Sequence, residues 1–150
     1  GYVTSTTPAE VSTLLNDHPE VETLVMPFVP GSEDDESNLQ AARMIHVAGL
    51  NTCVPSTGLI ASGGVDFFLA GARRQVGSGA LVGVHSWADG SGVEGGDLPM
   101  DHPDHSLFLD FYEDIGIDAA FYWFTLEAAP SAEIHWMNET ELNTYGVRRD

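Results

Sequence analysis

Apolar residues fall in short blocks along this chain, and the spacing changes from block to block. Val21 to Val29 (VETLVMPFV) is an almost unbroken apolar, β-rich run. It predicts a buried strand, ended by Pro30-Gly31-Ser32. Leu50–Val54 predicts another strand before the turn Pro55-Ser56-Thr57-Gly58, and Tyr2–Thr4 a short first one. Between these lie segments at helical spacing, each with a start signal. Thr7-Pro8-Ala9-Glu10 is a capping box with proline at the first helical position, and predicts a helix from Pro8 to about Asn16. Glu33 to Glu36 reads as an acidic loop. Ser37-Asn38-Leu39-Gln40 is a second box, whose helix runs to about Ala48 and meets Gly49 as its C-terminal cap. Asn138-Glu139-Thr140-Glu141 is a third, with a helix stopping at Gly146.

The centre of the chain is denser in signals. Ser62–Ala70 predicts a helix entered through Gly63-Gly64 and ended by Gly71. Arg74–Val76 and Leu81–His85 read as two strands of a hairpin around Gly77-Ser78-Gly79. That glycine pair is a turn and not a phosphate loop, since no lysine follows it. Ala88–Asp104 is a long loop rich in glycine and aspartate, the kind of segment that covers a site. Pro103–Asp114 and Ile117–Ala128 predict helices with aromatic residues at helical spacing, a pattern that packs into a core and can also serve as a subunit interface. Glu133–Met137 reads as extended. Strands alternating with helices predict one α/β domain over residues 1–150.

Charge narrows the partners. Five basic residues face 23 acidic ones, a formal net charge of -18. Such a surface repels nucleic acid and anionic membranes. No apolar run approaches the roughly 18 residues of a membrane span, and no leader peptide is visible at the start. Cys53 is the only cysteine, which excludes an intrachain disulfide and reads as a small buried hydrophobe. Asp89, Glu94, Asp97, Asp101, His102, Asp104 and His105 crowd the long loop, but without any metal-binding spacing. They read as a solvated flap, and neither metal nor cofactor is expected.

One constellation carries chemistry. Ser62 sits between an apolar strand-like run and a helix start, where N–H groups and the helix dipole favour developing negative charge. His85 closes the following strand. A hydroxyl and an imidazole so placed can meet as nucleophile and base, with the Gly63 amide as an oxyanion donor. The same residues can be an N-cap and a structural histidine.

Three blocks then resemble the Clp-peptidase/crotonase-like superfamily, most of all its Clp-protease-like predicted periplasmic serine hydrolases. The first is the strand ending in Pro30-Gly31-Ser32, where the family has Ser-Pro-Gly-Gly. The second is the helix QAARMI with Gly49-Leu50 and the strand NTCV. The third is Ala61-Ser62-Gly63 followed by FFLAGARRQVGSGALVGVH to His85, 23 residues after the serine. The segment EIHWMNETELNTYGV is similar to the one that holds the acidic triad member in Clp peptidases. The resemblance implies a single-domain spiral of β-β-α units and a serine hydrolase, peptidase or esterase-like, working through an acyl-enzyme on a peptide or small acyl substrate. It implies Ser62 and His85 as catalytic pair, Gly63 with Gly31 or Ser32 as oxyanion hole, a homo-oligomer as one assembly state, and an extracytoplasmic or periplasmic site, with the cytoplasm as the alternative. Ser32 stands where the family has its second glycine. The expected acidic position falls near Ile134, which leaves Glu133 beside it as third member, Asp101, Asp104 and Asp110 as substitutes, or a bare dyad. A catalytically weak fold used for binding or assembly is the rival reading. A crotonase-type acyl-CoA enzyme ranks last, because five basic residues hardly supply a patch for the CoA phosphates.

Overall fold

The computed structural model describes residues 1–149. Helix α1 (Thr7–Asp17) leads into three successive strand pairs: β1 (Thr23–Val25) and β2 (Phe28–Val29), β3 (Asn51–Val54) and β4 (Leu59–Ala61), β5 (Arg74–Val76) and β6 (Leu81–Val84). Helix α2 (Asp35–Ala48) follows the first pair and α3 (Gly63–Leu69) the second. After the third come single 3₁₀ turns at Gly95–Asp97 and Pro103–His105, then α4 (Ser106–Ile115), α5 (Ala119–Ala128), β7 (His135–Trp136) and α6 (Glu139–Thr144).

Each strand pair splits between two sheets. The first members form an all-parallel sheet in the order β1-β3-β5. The second members form β2-β4-β6, also parallel, closed by antiparallel β7. The chain therefore climbs as a spiral of β-β-α units, the architecture that the resemblance implies. Leu39, Ile45, Val54, Ile60, Phe68, Leu69, Phe111 and Phe121 are fully or almost fully buried between the sheets and the helices.

Several sequence expectations change here. The run Val21–Val29 is not one buried strand. Met26 still donates its N–H to Cys53 O, but Pro27 has no N–H to give, and the chain crosses to the other sheet at that point. Val25 and Phe28 on either side are exposed. Tyr2–Thr4 gives only an isolated bridge, Val3 to Ser32. The acidic loop starts a helix instead: Asp34 caps α2 by accepting from Ser37 N, and Asp35 and Glu36 occupy its first turn, where the dipole favours them. Cys53 is half-buried.

The predicted hairpin is the largest correction. β5 and β6 do not pair with each other; each joins its own parallel neighbour. Gly77-Ser78-Gly79 is a corner between sheets, stacked on the preceding corner at Pro55–Gly58. Gly77 N–H donates to Val54 O and Leu81 N–H to Gly58 O. The stacking is so close that a Cβ on Gly77 would lie 2.5 Å from Ser56 N. Glycine is required there by the neighbouring turn, not by a tight reversal.

Arg74 locks the end of the chain to this spiral. Its buried guanidinium donates to the carbonyls of Val147, Leu69, Gly71 and Gly146. Burial lowers its pKa to about 10, so it stays a cation at neutral pH.

Gly77→Ala is expected to cost about 1–3 kcal/mol through this overpacking, read as a lowered urea midpoint. Gly90→Ala, which meets open space, should stay within about 0.5 kcal/mol of the parent.

Candidate active site

The parallel pairing of β4 with β6 sets Ala61 opposite Gly83. The residues that follow each strand, Ser62 and His85, therefore emerge together at the C-terminal ends of the sheet, where α/β proteins place their ligand clefts. Ser62 N–H donates to Gly83 O at 3.0 Å and ties the two exits together. Both side chains line one cavity of about 70 Å³, walled by Trp87, Phe108, Tyr112, Phe121 and Tyr122. A void of that size holds about five waters or a short side chain.

Ser62 adopts φ 53°, ψ -134°, and among the described residues it is the only non-glycine with positive φ. Its carbonyl starts α3 by accepting from Val65 N, but its hydroxyl does not cap the helix and bonds no protein group. The capping alternative thus loses its basis, because a serine in this strained turn turns its Oγ away from the helix end. The next two glycines enforce the turn. A Cβ on Gly64 would lie 2.2 Å from Val29 O, and one on Gly63 2.2 Å from Ser32 Oγ. α3 is thus pressed against the end of β2 and the segment Gly31–Ser32.

That contact also gathers amides. A Cβ on Gly31 would sit 3.6 Å from Ser62 Cβ. Gly31 O and the Glu33 N–H are consumed by Val3, while the N–H groups of Gly31, Ser32 and Gly63 bond no protein acceptor among the described residues. Ser32 Oγ donates to Asp35 Oδ1 at 2.8 Å, so the hydroxyl that replaces a glycine proton is turned toward α2.

His85 is half-buried, and its Nδ1 is buried without a hydrogen-bond partner. Glu133 is not brought to it. Glu133 is exposed and outside the cavity, with its backbone N–H donating to Pro130 O. Asp101, Asp104 and Asp110 are exposed as well. The carboxylate whose charge His85 does feel is Glu94, on the loop after β6. Its oxygens accept from Ser131 Oγ at 2.5 Å and Ser131 N at 2.9 Å. The Ser131 hydroxyl above all, then Ser131 N–H, the Ser86 hydroxyl and His85, hold it below the usual carboxylate range. Sequence spacing gave no sign of Glu94, since the loop that carries it folds back through Gly95 N to Trp87 O and Gly96 N to Ser86 Oγ.

A second acid escaped the sequence reading. Asp66 lies four residues after Ser62 on α3, one helical turn deeper, and lines the same cavity. It is 8% exposed, and its Oδ1 accepts from Tyr112 Oη at 2.5 Å. Burial pushes its pKa up to about 7, partly opposed by the Tyr112 bond and reinforced by Asp35. Tyr112 is pushed well above its ordinary value by the same burial and by Asp66. Nearby, Tyr122 Oη accepts from Trp87 Nε1 at 2.8 Å and meets His105 Nδ1 at 2.7 Å, while His105 Nε2 meets Pro99 O at 3.1 Å. With Trp87 donating, the phenol proton goes to His105 Nδ1 and the histidine proton to Pro99. His105 thus braces the loop between Tyr122 and Pro99.

Two outcomes follow from this geometry. Ser62→Gly should raise stability by about 1 kcal/mol, because glycine adopts this turn without strain; Ser62→Ala keeps the strain and should not. Chemical denaturation of the two variants side by side checks this. Asp66 binds its proton more tightly folded than unfolded, so its contribution is complete below about pH 4 and is lost as pH rises through about 7. Asp66→Asn should therefore gain on the parent at pH 8, with the gap closing toward pH 4, read from urea midpoints across that range.

No family model matches the chain, and no curated protein matches it by sequence. Solved structures do resemble it. Two solved structures of 1510-N, a membrane-bound stomatin-specific protease, superpose with a TM-score of 0.61 at 15% sequence identity. One is a lysine-to-alanine mutant in complex with a substrate peptide, and it covers 98% of this chain and 72% of its own. The other is a serine-to-alanine mutant, covering 98% of this chain and 76% of its own. This chain contains no lysine. At that identity the likeness fixes the architecture alone: the chain has a Clp-peptidase-like α/β fold of the kind that serine proteases use.

Proposed function

We propose that this chain is a serine hydrolase of the peptidase type, with Ser62 as nucleophile and His85 as base. The observation that carries the reading is the strained turn at Ser62, which projects an uncapped hydroxyl into the cavity that His85 also lines. A protease-like fold over nearly the whole chain supports the peptide bond as substrate.

The chemistry runs in two halves. Ser62 Oγ bonds to the substrate carbonyl carbon while its proton passes to the His85 imidazole. The carbonyl oxygen gains the negative charge, which the N–H groups of Gly63 and of Gly31 or Ser32 receive. The C–N bond breaks as His85 returns the proton to the leaving amine, and an acyl ester remains on Ser62. Water then attacks that ester, gives its proton to His85, and frees the acid and the serine. Glu94 supplies negative charge behind the imidazole as it becomes a cation, the place that the resemblance offers to Glu133. The Ser62 hydroxyl and the His85 imidazole are not bonded to each other, a looseness that substrate binding removes in many hydrolases.

An alkyl fluorophosphonate should label the folded protein at Ser62. Labelling and p-nitrophenyl ester hydrolysis should vanish in Ser62→Ala and drop on the order of a thousandfold in His85→Ala. Glu94→Gln should lower kcat more than KM, while Glu133→Gln leaves both unchanged. A folded parent that takes no label would overturn the reading.

A further inference from the structure

We propose that the cavity beside Ser62 is a seat for an alkylammonium side chain, with Asp66 at its floor and Asp35 at its rim, so that the hydrolase acts on lysine-containing, basic peptides. The inference rests on the hydrolase reading and assigns that site its substrate class.

Asp66 is the point of departure. A carboxyl that is more than nine-tenths buried is costly unless its oxygens are satisfied. Tyr112 satisfies Oδ1, but among the described residues no protein donor reaches Oδ2. A mere packing position would be filled at lower cost by an apolar side chain. The group nonetheless borders a cavity whose other walls are Trp87, Phe108, Phe121 and Tyr122. Aromatic faces around a carboxylate suit a methylene chain ending in a cation: the rings cover the stem and attract the charge, and the carboxylate accepts its N–H groups.

The approach to the cavity has the same character. Asp35, Trp87 and Phe108 line both the cavity and an adjoining groove, which continues past Glu36, Asp89 and Asp104. Among the described residues no arginine lines either space, and His85 is the one imidazole in the cavity. Arg43 is engaged by Asp114, Arg148 by Glu139, and Arg74 by buried carbonyls. Asp104 meets His102 at 3.6 Å, but among the described residues Asp35, Glu36 and Asp89 pair with no basic side chain, and the net charge of -18 draws cations toward them from a distance.

The test compares two thioesters of equal shape, the thiobenzyl esters of Nα-benzoyl-lysine and Nα-benzoyl-norleucine. The lysine ester should be cleaved with kcat/KM about tenfold to a hundredfold higher, the range of a hydrogen-bonded charge pair. Asp66→Asn should bring that ratio toward one. Asp35→Asn, at an exposed position, should lower it in the same direction, whereas Glu20→Gln, which lines neither the cavity nor the groove, should not alter it. In parallel, n-butylammonium chloride titrated into the parent should shift the Trp87 indole resonance, and sodium chloride at equal strength should not. Fluorophosphonate labelling with no lysine preference would overturn the cation seat and leave the hydrolase reading standing. Absence of labelling would remove the hydrolase reading, and the butylammonium titration would then decide the seat alone: no shift in Trp87 rejects it.

Discussion

The backbone turn at Ser62 is the constraint around which the rest is arranged. A serine at φ 53° is strained by about 1–3 kcal/mol, and such a residue persists only where its surroundings over-determine it. Here they do so by contact. Gly63 and Gly64 let α3 lie directly against Val29 O and Ser32, and no side chain fits between. The helix that follows is buried along nearly its whole length, with Val65, Phe68 and Leu69 in the core. Burying those three side chains gains about 1.5–3 kcal/mol each, which exceeds the strain. The same close approach sets Gly31 beside Ser62 and leaves three amide protons facing no protein acceptor. One packing event thus exposes the hydroxyl and gathers its donors.

The cavity that results is electrically lopsided. Among the described residues Asp66 and Asp35 share it with no arginine, and the other polar rings in its wall are His85 and the two tyrosines. Desolvation answers this by raising Asp66 to about 7, so near neutrality the acid is divided between its two states. Arg74 shows the opposite solution within the same fold. It is buried too, but four carbonyls surround it, and it ties the chain end without entering any cavity that holds the serine. A charge that the fold needs is fully bonded; the one beside Ser62 is half-bonded.

Local signals were readable, and pairing was not. The capping box at Asn138, the glycines after Ser62 and the strand end at His85 depend on neighbours within a few positions, and each lies where the pattern put it to within a residue; the box at Ser37 starts its helix three residues late, because Asp34 caps α2, and α1 has no side-chain cap. Asp34–Glu36 misled because acidic residues suit a loop and a first helical turn equally. The hairpin failed for a deeper reason. Gly-Ser-Gly between two β-rich runs satisfies a reversal, but partners are chosen by the whole sheet, and β3 and β4 had already laid down two parallel templates. Glu94 and Asp66 were invisible as site residues because their approach to His85 and Ser62 depends on the fold of a long loop and on which helix face is buried.

His85 shows how loop and core are coupled. Its buried Nδ1 has no partner, so no hydrogen bond fixes which ring nitrogen carries the proton. Glu94 is near enough to stabilise a cationic ring but gives its oxygens to Ser131, just before β7. Glu94 is itself placed by the fold-back through Trp87, and Trp87 is held by Tyr122, which also braces His105 against Pro99. The loop's position, the shape of the aromatic wall and the electrostatics of the imidazole therefore form one connected set of hydrogen bonds. Glu94 therefore acts near His85 as a charge and not as a hydrogen-bond partner, and its place depends on the whole of that set.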